Sequence, residues 1–304
     1  MGPAVEIVEV GPRDGFQSIA TAIPAQTKIS IIEELCAAGL RRIEIGSFVS
    51  RSAVPQFADI VEVLQSTQSL PGFDPQVLVP TERRAQEAMA AGARHIVFVL
   101  SVSDRHNQSN VRRSPMDSVA EYGRIVKRLP ADIKVRLNIA TAFDCPYEGR
   151  IPERTTLTLL DQLIGIAPNV EVGLCDTTGR VMPDHVEELF TACFKRYPET
   201  KSWAFHAHDT YGMGVANVLA AWRTGVKVID ASFAGLGGCP FAPGATGNVA
   251  TEDVVWLFDG LGVRSGVDIE RIVAVANRGV LLPGAQSGGR VRGALAARAV
   301  VRTS

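Results

Sequence analysis

Apolar positions along the chain follow two alternating rhythms. Short runs rich in β-branched and aromatic residues read as strands: Glu6–Val10, Arg42–Ile45, Gln76–Val79, His95–Leu100, Lys134–Ile139, Val170–Leu174, Ser202–His206 and Lys227–Ser232. Between them lie longer stretches whose apolar residues recur at spacings of three and four. These read as helices near Ala25–Ala38, Val54–Gln65, Glu82–Ala91, Met116–Leu129, Glu153–Ile166, Asp184–Arg196, Met213–Arg223 and Thr251–Leu261. In the first, Ile29, Ile32, Leu35 and Cys36 form the apolar stripe, Lys28 and Glu33–Glu34 face outward, and Gly39 stops the helix. Strand and helix alternating eight times predict a parallel sheet, and eight such units close into a (β/α)8 TIM barrel. A doubly wound open sheet would need a glycine-rich first turn, which Gly11-Pro12-Arg13-Asp14-Gly15 does not supply. The reading is a single catalytic domain over 1–304, with the barrel over about 5–262 and a short C-terminal helical extension over about 263–304. The extension reads as one helix from Ile269, a loose stretch Gly284–Gly293, and a final Ala/Arg-rich segment.

A barrel of this kind carries its chemistry at the carboxyl ends of its strands. Strand seven runs into His206-Ala207-His208, two imidazoles at i, i+2 on one face of a strand that Asp209-Thr210-Tyr211-Gly212 then breaks. Such a pair can hold one divalent cation. Strand one ends in Arg13 and Asp14, strand two in Glu44 to Ser47, strand six in Cys175-Asp176. After strand eight comes a glycine-rich run from Gly235 through Cys239 to Asn248. A carboxylate, two imidazoles and an amide oxygen on one rim are a mixed O/N donor set, suited to Mg2+ or Mn2+ rather than a closed zinc site.

Each candidate also has a plainer reading. Asp14 could serve an Asx turn and Asn248 could cap the last barrel helix, although ligation is the preferred role for both. Glu44 reads as a partner to another group rather than a base, and Asp176 as equally able to be structural. Cys239, flanked by glycines and a proline, sits in a run too flexible for a core. Beside a metal and an arginine its thiol would be acidified, fit to carry a proton or act as a nucleophile. Cys36 and Cys193 read as helix packing, while Cys145 and Cys175 sit at strand ends. His95, His106 and His185 fall on a strand start, a loop and a helix surface, where no role is expected.

Composition narrows the partners. The 304 residues are 46% hydrophobic and 21% charged with a formal net charge of −1, so no long-range pull toward nucleic acid or an anionic membrane is expected. No apolar stretch approaches the roughly 20 residues of a membrane span. The first residues lack the charged and apolar regions of a secretory signal. Five scattered cysteines without C-x-x-C spacing argue for reduced thiols and a cytoplasmic setting.

Several segments together resemble the 3-hydroxy-3-methylglutaryl-CoA lyase family: Val8-Glu9-Val10-Gly11-Pro12-Arg13-Asp14-Gly15, Glu44 with Ser47-Phe48-Val49-Ser50, Val54-Pro55-Gln56, Cys145-Pro146-Tyr147-Glu148-Gly149, His206 through Gly212, and Gly235 through Asp253. The resemblance runs in one order from about residue 5 to residue 280. The arginine–aspartate turn and the H-x-H pair belong to a wider group of metal-dependent carbon–carbon lyases and synthases on barrels, and the Gly-Gly-Cys-Pro loop is the specific part. The resemblance implies Asp14, His206, His208 and Asn248 as ligands of Mg2+ or Mn2+, Arg13 gripping the substrate carbonyl, and Cys239 as the catalytic thiol. His206, Glu44 and Asp176 fall at positions implicated in activity, and Gln17 and Ser47 join Arg13 as substrate-binding candidates. It implies an acyl-CoA substrate split into acetyl-CoA and a 3-oxo acid, acetoacetate for 3-hydroxy-3-methylglutaryl-CoA. A related thioester such as citramalyl-CoA, more distantly a pyruvate aldolase or condensing reaction, and self-association as a homodimer or larger oligomer stay open. Gly15-Phe16-Gln17-Ser18 and Leu174-Cys175-Asp176 depart from the usual family residues. Phe16, Ser18 and Cys175 are therefore expected where the substituent on the substrate's C3 would sit.

Overall fold

The computed structural model describes residues 4–238 and 247–303. Eight parallel strands close in the order β1-β10-β9-β8-β5-β4-β3-β2. They are β1 (Glu6–Glu9), β2 (Arg42–Ser47), β3 (Asp74–Leu78), β4 (His95–Ser101), β5 (Lys134–Ala140), β8 (Glu171–Cys175), β9 (Ser202–His206) and β10 (Val228–Ala231), with β6 (Asp144–Cys145) and β7 (Gly149–Arg150) forming a separate ribbon. The predicted barrel is the observed one, and the strands start and end within two residues of the positions that periodicity assigned.

Helices α1 (Ala25–Ala37), α2 (Ile60–Thr67), α3 (Glu82–Ala90), α5 (Pro115–Arg128), α6 (Glu153–Ile166), α7 (Pro183–Arg196), α8 (Gly214–Thr224) and α9 (Thr251–Gly260) follow the strands. Several expectations need correction. The helix expected over Val54–Gln65 is a 3-10 turn, Pro55–Phe57, and then α2. The clash of a proline ring with the preceding residue keeps Val54 extended at φ −137°, so no helix begins there. A helix that periodicity did not reveal, α4 (Asp104–Val111), lacks an apolar stripe and forms behind Ser103, whose hydroxyl accepts from the His106 amide. His106 therefore lies on a buried helical turn rather than a loop, and His185 is buried edge-on against Phe143 rather than on a helix surface. In the tail, α10 (Ile269–Gly279) is followed by α11 (Val291–Thr303), which begins inside the stretch expected to be loose.

Alternation along each strand sends one set of residues to the helices and the other to the barrel lumen. Ile43, Ile45, Phe98, Leu137, Ile139, Val172, Leu174 and Phe205 join the large core between sheet and helices, whereas Val8, Val10, Ala204 and Val228 form a separate small cluster inside the barrel. Much of the remaining lumen is polar and charged. Arg42 and Arg136 are buried there, with Arg42 Nη1 2.9 Å from Glu171 and Nη2 3.1 Å from Glu6. No helix among the described residues is long and apolar enough to cross a membrane.

The tail packs back on the barrel, with α10 against α1. Gly39 makes this close approach possible. It sits at φ +106° where α1 turns toward β2, and a Cβ there would overlap the carbonyl oxygen of Gly266. Gly39→Ala should therefore destabilise the fold by roughly 1–3 kcal/mol in chemical denaturation. An unchanged midpoint would show that the two segments separate freely.

Candidate active site

A five-residue π turn, Gly11–Gly15, replaces a regular loop after β1. The Val10 carbonyl accepts from the Arg13, Asp14 and Gly15 amides at 3.1, 2.7 and 3.4 Å, which curls the turn over the barrel mouth. Gly11 and Gly15 are required by closeness. A Cβ on Gly11 would stand 2.6 Å from the Phe233 ring, and one on Gly15 2.8 Å from Leu236. The turn is thus pressed against the start of the glycine-rich segment that follows β10.

Buried carboxylates tie the same parts together. Glu9, at the end of β1, accepts from the amides of Gly11 (2.7 Å) and Phe233 (3.0 Å) and from the Thr251 hydroxyl (2.7 Å). Glu252 accepts from the Ala234 amide at 3.0 Å. Burial pushes Glu9 up to about 8 and Glu252 up to about 7. Neither was singled out from the sequence, because an acidic residue at a strand end or in a first helical turn carries no signal of the amides it will meet.

Arg13 and Asp14 leave the turn side by side and contact each other. Arg13 Nε also lies 2.9 Å from Oε1 of Glu44, which is buried on β2. Glu44 is thus a partner to the arginine, as its strand-end position suggested. Burial would raise the Asp14 carboxyl, but the Arg13 guanidinium and the two imidazoles outweigh it and hold the group at about 2. On β9, His206 Nε2 faces His208 Nε2 at 3.2 Å, and His206 Nδ1 lies 3.1 Å from Asp230. Burial, helped by the nearby His206, pulls the His208 imidazole down to about 4, so it is neutral at physiological pH.

Donor atoms of Asp14, His206 and His208 all lie within 4.8 Å of one another. Asn248 joins them, its Nδ2 donating to Asp14 (2.8 Å) and to the Leu236 carbonyl (3.0 Å) while Oδ1 is buried with no partner. Ala250, not Asn248, caps α9, so the capping alternative for Asn248 does not hold. A carboxylate, two imidazole nitrogens and an unused amide oxygen fit a divalent cation. Two nitrogens 3.2 Å apart have the spacing of adjacent ligands, about 3 Å for bonds near 2.1 Å.

Other candidates lie elsewhere. Asp176 is fully buried below the rim, where one oxygen accepts from the Gly179 amide at 2.9 Å and the other has no partner; burial raises it to about 7. It belongs to a turn and is not one of the clustered groups. Ser47 is buried at the end of β2. Gln17 is exposed and lines a cavity of about 320 Å3 with Ala20, Val54 and Gln56. Phe16 does not face the mouth, contrary to expectation. It is wholly buried and packs edge-on to Phe233 at 6.0 Å, because the apolar floor of the turn needs a large ring. Ser18 is exposed and donates to the Gly15 carbonyl, whereas Cys175 is buried at the end of β8. Cys239 lies outside the described residues.

Residues 4–278 match the family described as HMGL-like. The chain belongs to this family. It is 40% identical over 270 residues to the mitochondrial hydroxymethylglutaryl-CoA lyase of Gallus gallus, covering 88% of this chain and 90% of that one. It is 38% identical over 287 residues to the (R)-citramalyl-CoA lyase of Chloroflexus aurantiacus, covering 90% and 89%. The hydroxymethylglutaryl-CoA lyase structure from Pseudomonas aeruginosa superposes with a TM-score of 0.91 at 36% identity, over 97% of this chain and 99% of that one.

For this HMGL-like chain the clustered donors lead to a direct expectation. Titration with Mn2+ should give one binding site per chain, lost in Asp14→Ala and in His208→Ala while both variants keep the wild-type circular dichroism. Undiminished binding in either variant would place the cation elsewhere.

Proposed function

We propose that this protein is a divalent-metal-dependent carbon–carbon lyase that splits 3-hydroxy-3-methylglutaryl-CoA into acetyl-CoA and acetoacetate by a retro-Claisen reaction. The observation that carries the proposal is the convergence of Asp14, His206 and His208 beside the Arg13–Glu44 pair, at the mouth of a barrel of the HMGL-like family.

Asp14, His206 and His208, with Asn248 through its free oxygen, would hold Mg2+ or Mn2+. Once bound, the cation would gather the substrate's 3-hydroxyl and terminal carboxylate and make the hydroxyl easier to deprotonate. The remaining chemistry falls to the chain. The hydroxyl proton passes to solvent at the barrel mouth, because both ring nitrogens of His206 are engaged, Nδ1 by Asp230 and Nε2 by the proposed cation. The C2–C3 bond breaks, C3 becomes the ketone of acetoacetate, and the bonding pair moves onto the thioester as an enolate. Arg13 is placed to neutralise the developing charge on the thioester oxygen. Glu44 keeps the guanidinium from swinging away and Asp14 fixes its other edge. Protonation at C2 then releases acetyl-CoA, and Cys239 is the proposed acid. Ser47 and Gln17 are the further substrate-binding candidates of this reading. Asp176 acts at a distance, holding the turn after β8.

A second reading, cleavage of citramalyl-CoA, has the support of the 38% identical relative named for that activity. Both substrates carry a methyl and a hydroxyl on C3 and present a carboxylate to the same donors, and they differ by the one methylene between C3 and that carboxylate, which sets the size of the chelate ring.

A coupled acetyl-CoA assay with Mn2+ tests the proposal. 3-Hydroxy-3-methylglutaryl-CoA should turn over fastest, its terminal amide should be inert, and Arg13→Met should lower kcat by roughly 10²–10³-fold with little change in KM. Faster release from citramalyl-CoA would favour the second reading. Turnover of the amide at the wild-type rate would refute the chelation on which both depend.

A further inference from the structure

His206 has two ring nitrogens, and only one can face a cation. Its Nε2 points toward His208 and Asp14, while its Nδ1 lies 3.1 Å from Oδ2 of Asp230, its register partner on the neighbouring strand β10. Asp230 is 1% exposed, shut off from bulk solvent. Its carboxylate is clamped from across the lumen by Arg136 of β5, which is completely buried and whose Nη2 lies 2.8 and 2.9 Å from the two carboxylate oxygens. Arg136 is itself fixed. Its Nε donates to Asn138 Oδ1 at 2.9 Å and lies 3.5 Å from Glu171, which Arg42 holds from the barrel floor.

A buried ion pair of this kind is a poor source of stability, since desolvation cancels most of the attraction. What it does supply is direction. A carboxylate that a buried guanidinium keeps ionised can only accept, so the proton of a neutral His206 must sit on Nδ1 and the lone pair on Nε2. The sequence makes room for the arrangement at Gly173. A Cβ at that position in β8 would overlap Asn138 Oδ1 and stand 3.0 Å from Arg136 Nη2. A glycine inside a buried strand weakens it, and here the reason is the side chain crossing above.

We propose that Asp230, clamped by Arg136 across the barrel, is the positioning residue that sets the His206 tautomer and aims Nε2 at the cation, and that Gly173 keeps the path of Arg136 open. This rests on the reading above that Asp14, His206 and His208 hold a divalent cation. It adds Asp230, Arg136 and Gly173 to that site, none of which touches substrate or metal.

Two measurements test it. Long-range 1H–15N spectra of the histidine side chains in the wild-type protein, metal-free and loaded with Mg2+ above the pH at which His206 titrates, should show His206 as the Nδ1–H tautomer. A role confined to fold stability would leave that tautomer unset. Asp230→Asn, whose amide can donate to Nδ1 and reverse the tautomer, should weaken Mn2+ binding roughly 10–100-fold. Gly173→Ala should weaken it in the same direction by displacing Arg136, and it supplies the test if Asp230→Asn does not fold. An Nε2–H tautomer in the wild type, or wild-type Mn2+ affinity in a folded Asp230→Asn, would overturn the inference while leaving the cation site standing. Undiminished Mn2+ binding in Asp14→Ala and His208→Ala would instead overturn the site and the inference together.

Discussion

The structure depends on charge paired inside the barrel. Most barrels fill the lumen with branched hydrocarbon. Here Arg42, Arg136 and Arg13 rise from floor to mouth, and Glu171, Asp230, Glu44 and Asp14 are set between and above them. None of these groups can be moved out of register singly, because a stranded buried charge costs several kcal/mol. Arg13 at the open end is shared by Glu44 and Asp14, and Asp14 also faces the two histidines. An ionised Asp14 beside two imidazoles and the unpartnered Asn248 oxygen is a donor set that fits a cation.

This ladder ties fold to chemistry. The sheet has to close before Arg136 of β5 can reach Asp230 of β10, since the two come from opposite walls. Closure also presses the π turn of Arg13 and Asp14 onto Phe233 and Leu236, and the shared carboxylate of Glu9 locks strand and turn to the segment that carries Cys239. Arg13, Asp14, His206 and His208 are therefore mounted on strand ends and a tight turn, which is how a barrel keeps such groups fixed while the loops around them vary.

Much of this was legible in the sequence, and the reasons differ by element. The eight strands were readable because β-branched runs are short and bounded, and His206 and His208 because i, i+2 on a strand means one face. Phe16 was misjudged from its neighbours in the chain. A turn pressed on a second loop needs an apolar floor, and that loop is more than two hundred residues away. Helix α4 escaped notice because its capping serine, not an apolar stripe, makes it. Arg136, Asp230 and Gly173 were invisible for the same reason as Glu9: a lone charged or small residue in a strand says nothing about the partner it will meet when the barrel closes.

The central claim is that both imidazoles and the Asp14 carboxylate converge on one bound cation. Pulsed electron paramagnetic resonance of the Mn2+-loaded protein carrying 15N-histidine reads this directly. The account predicts 15N couplings from two distinct imidazole nitrogens, each replaced by a 14N coupling when histidine is unlabelled. Couplings from a single histidine, or from none, would contradict it.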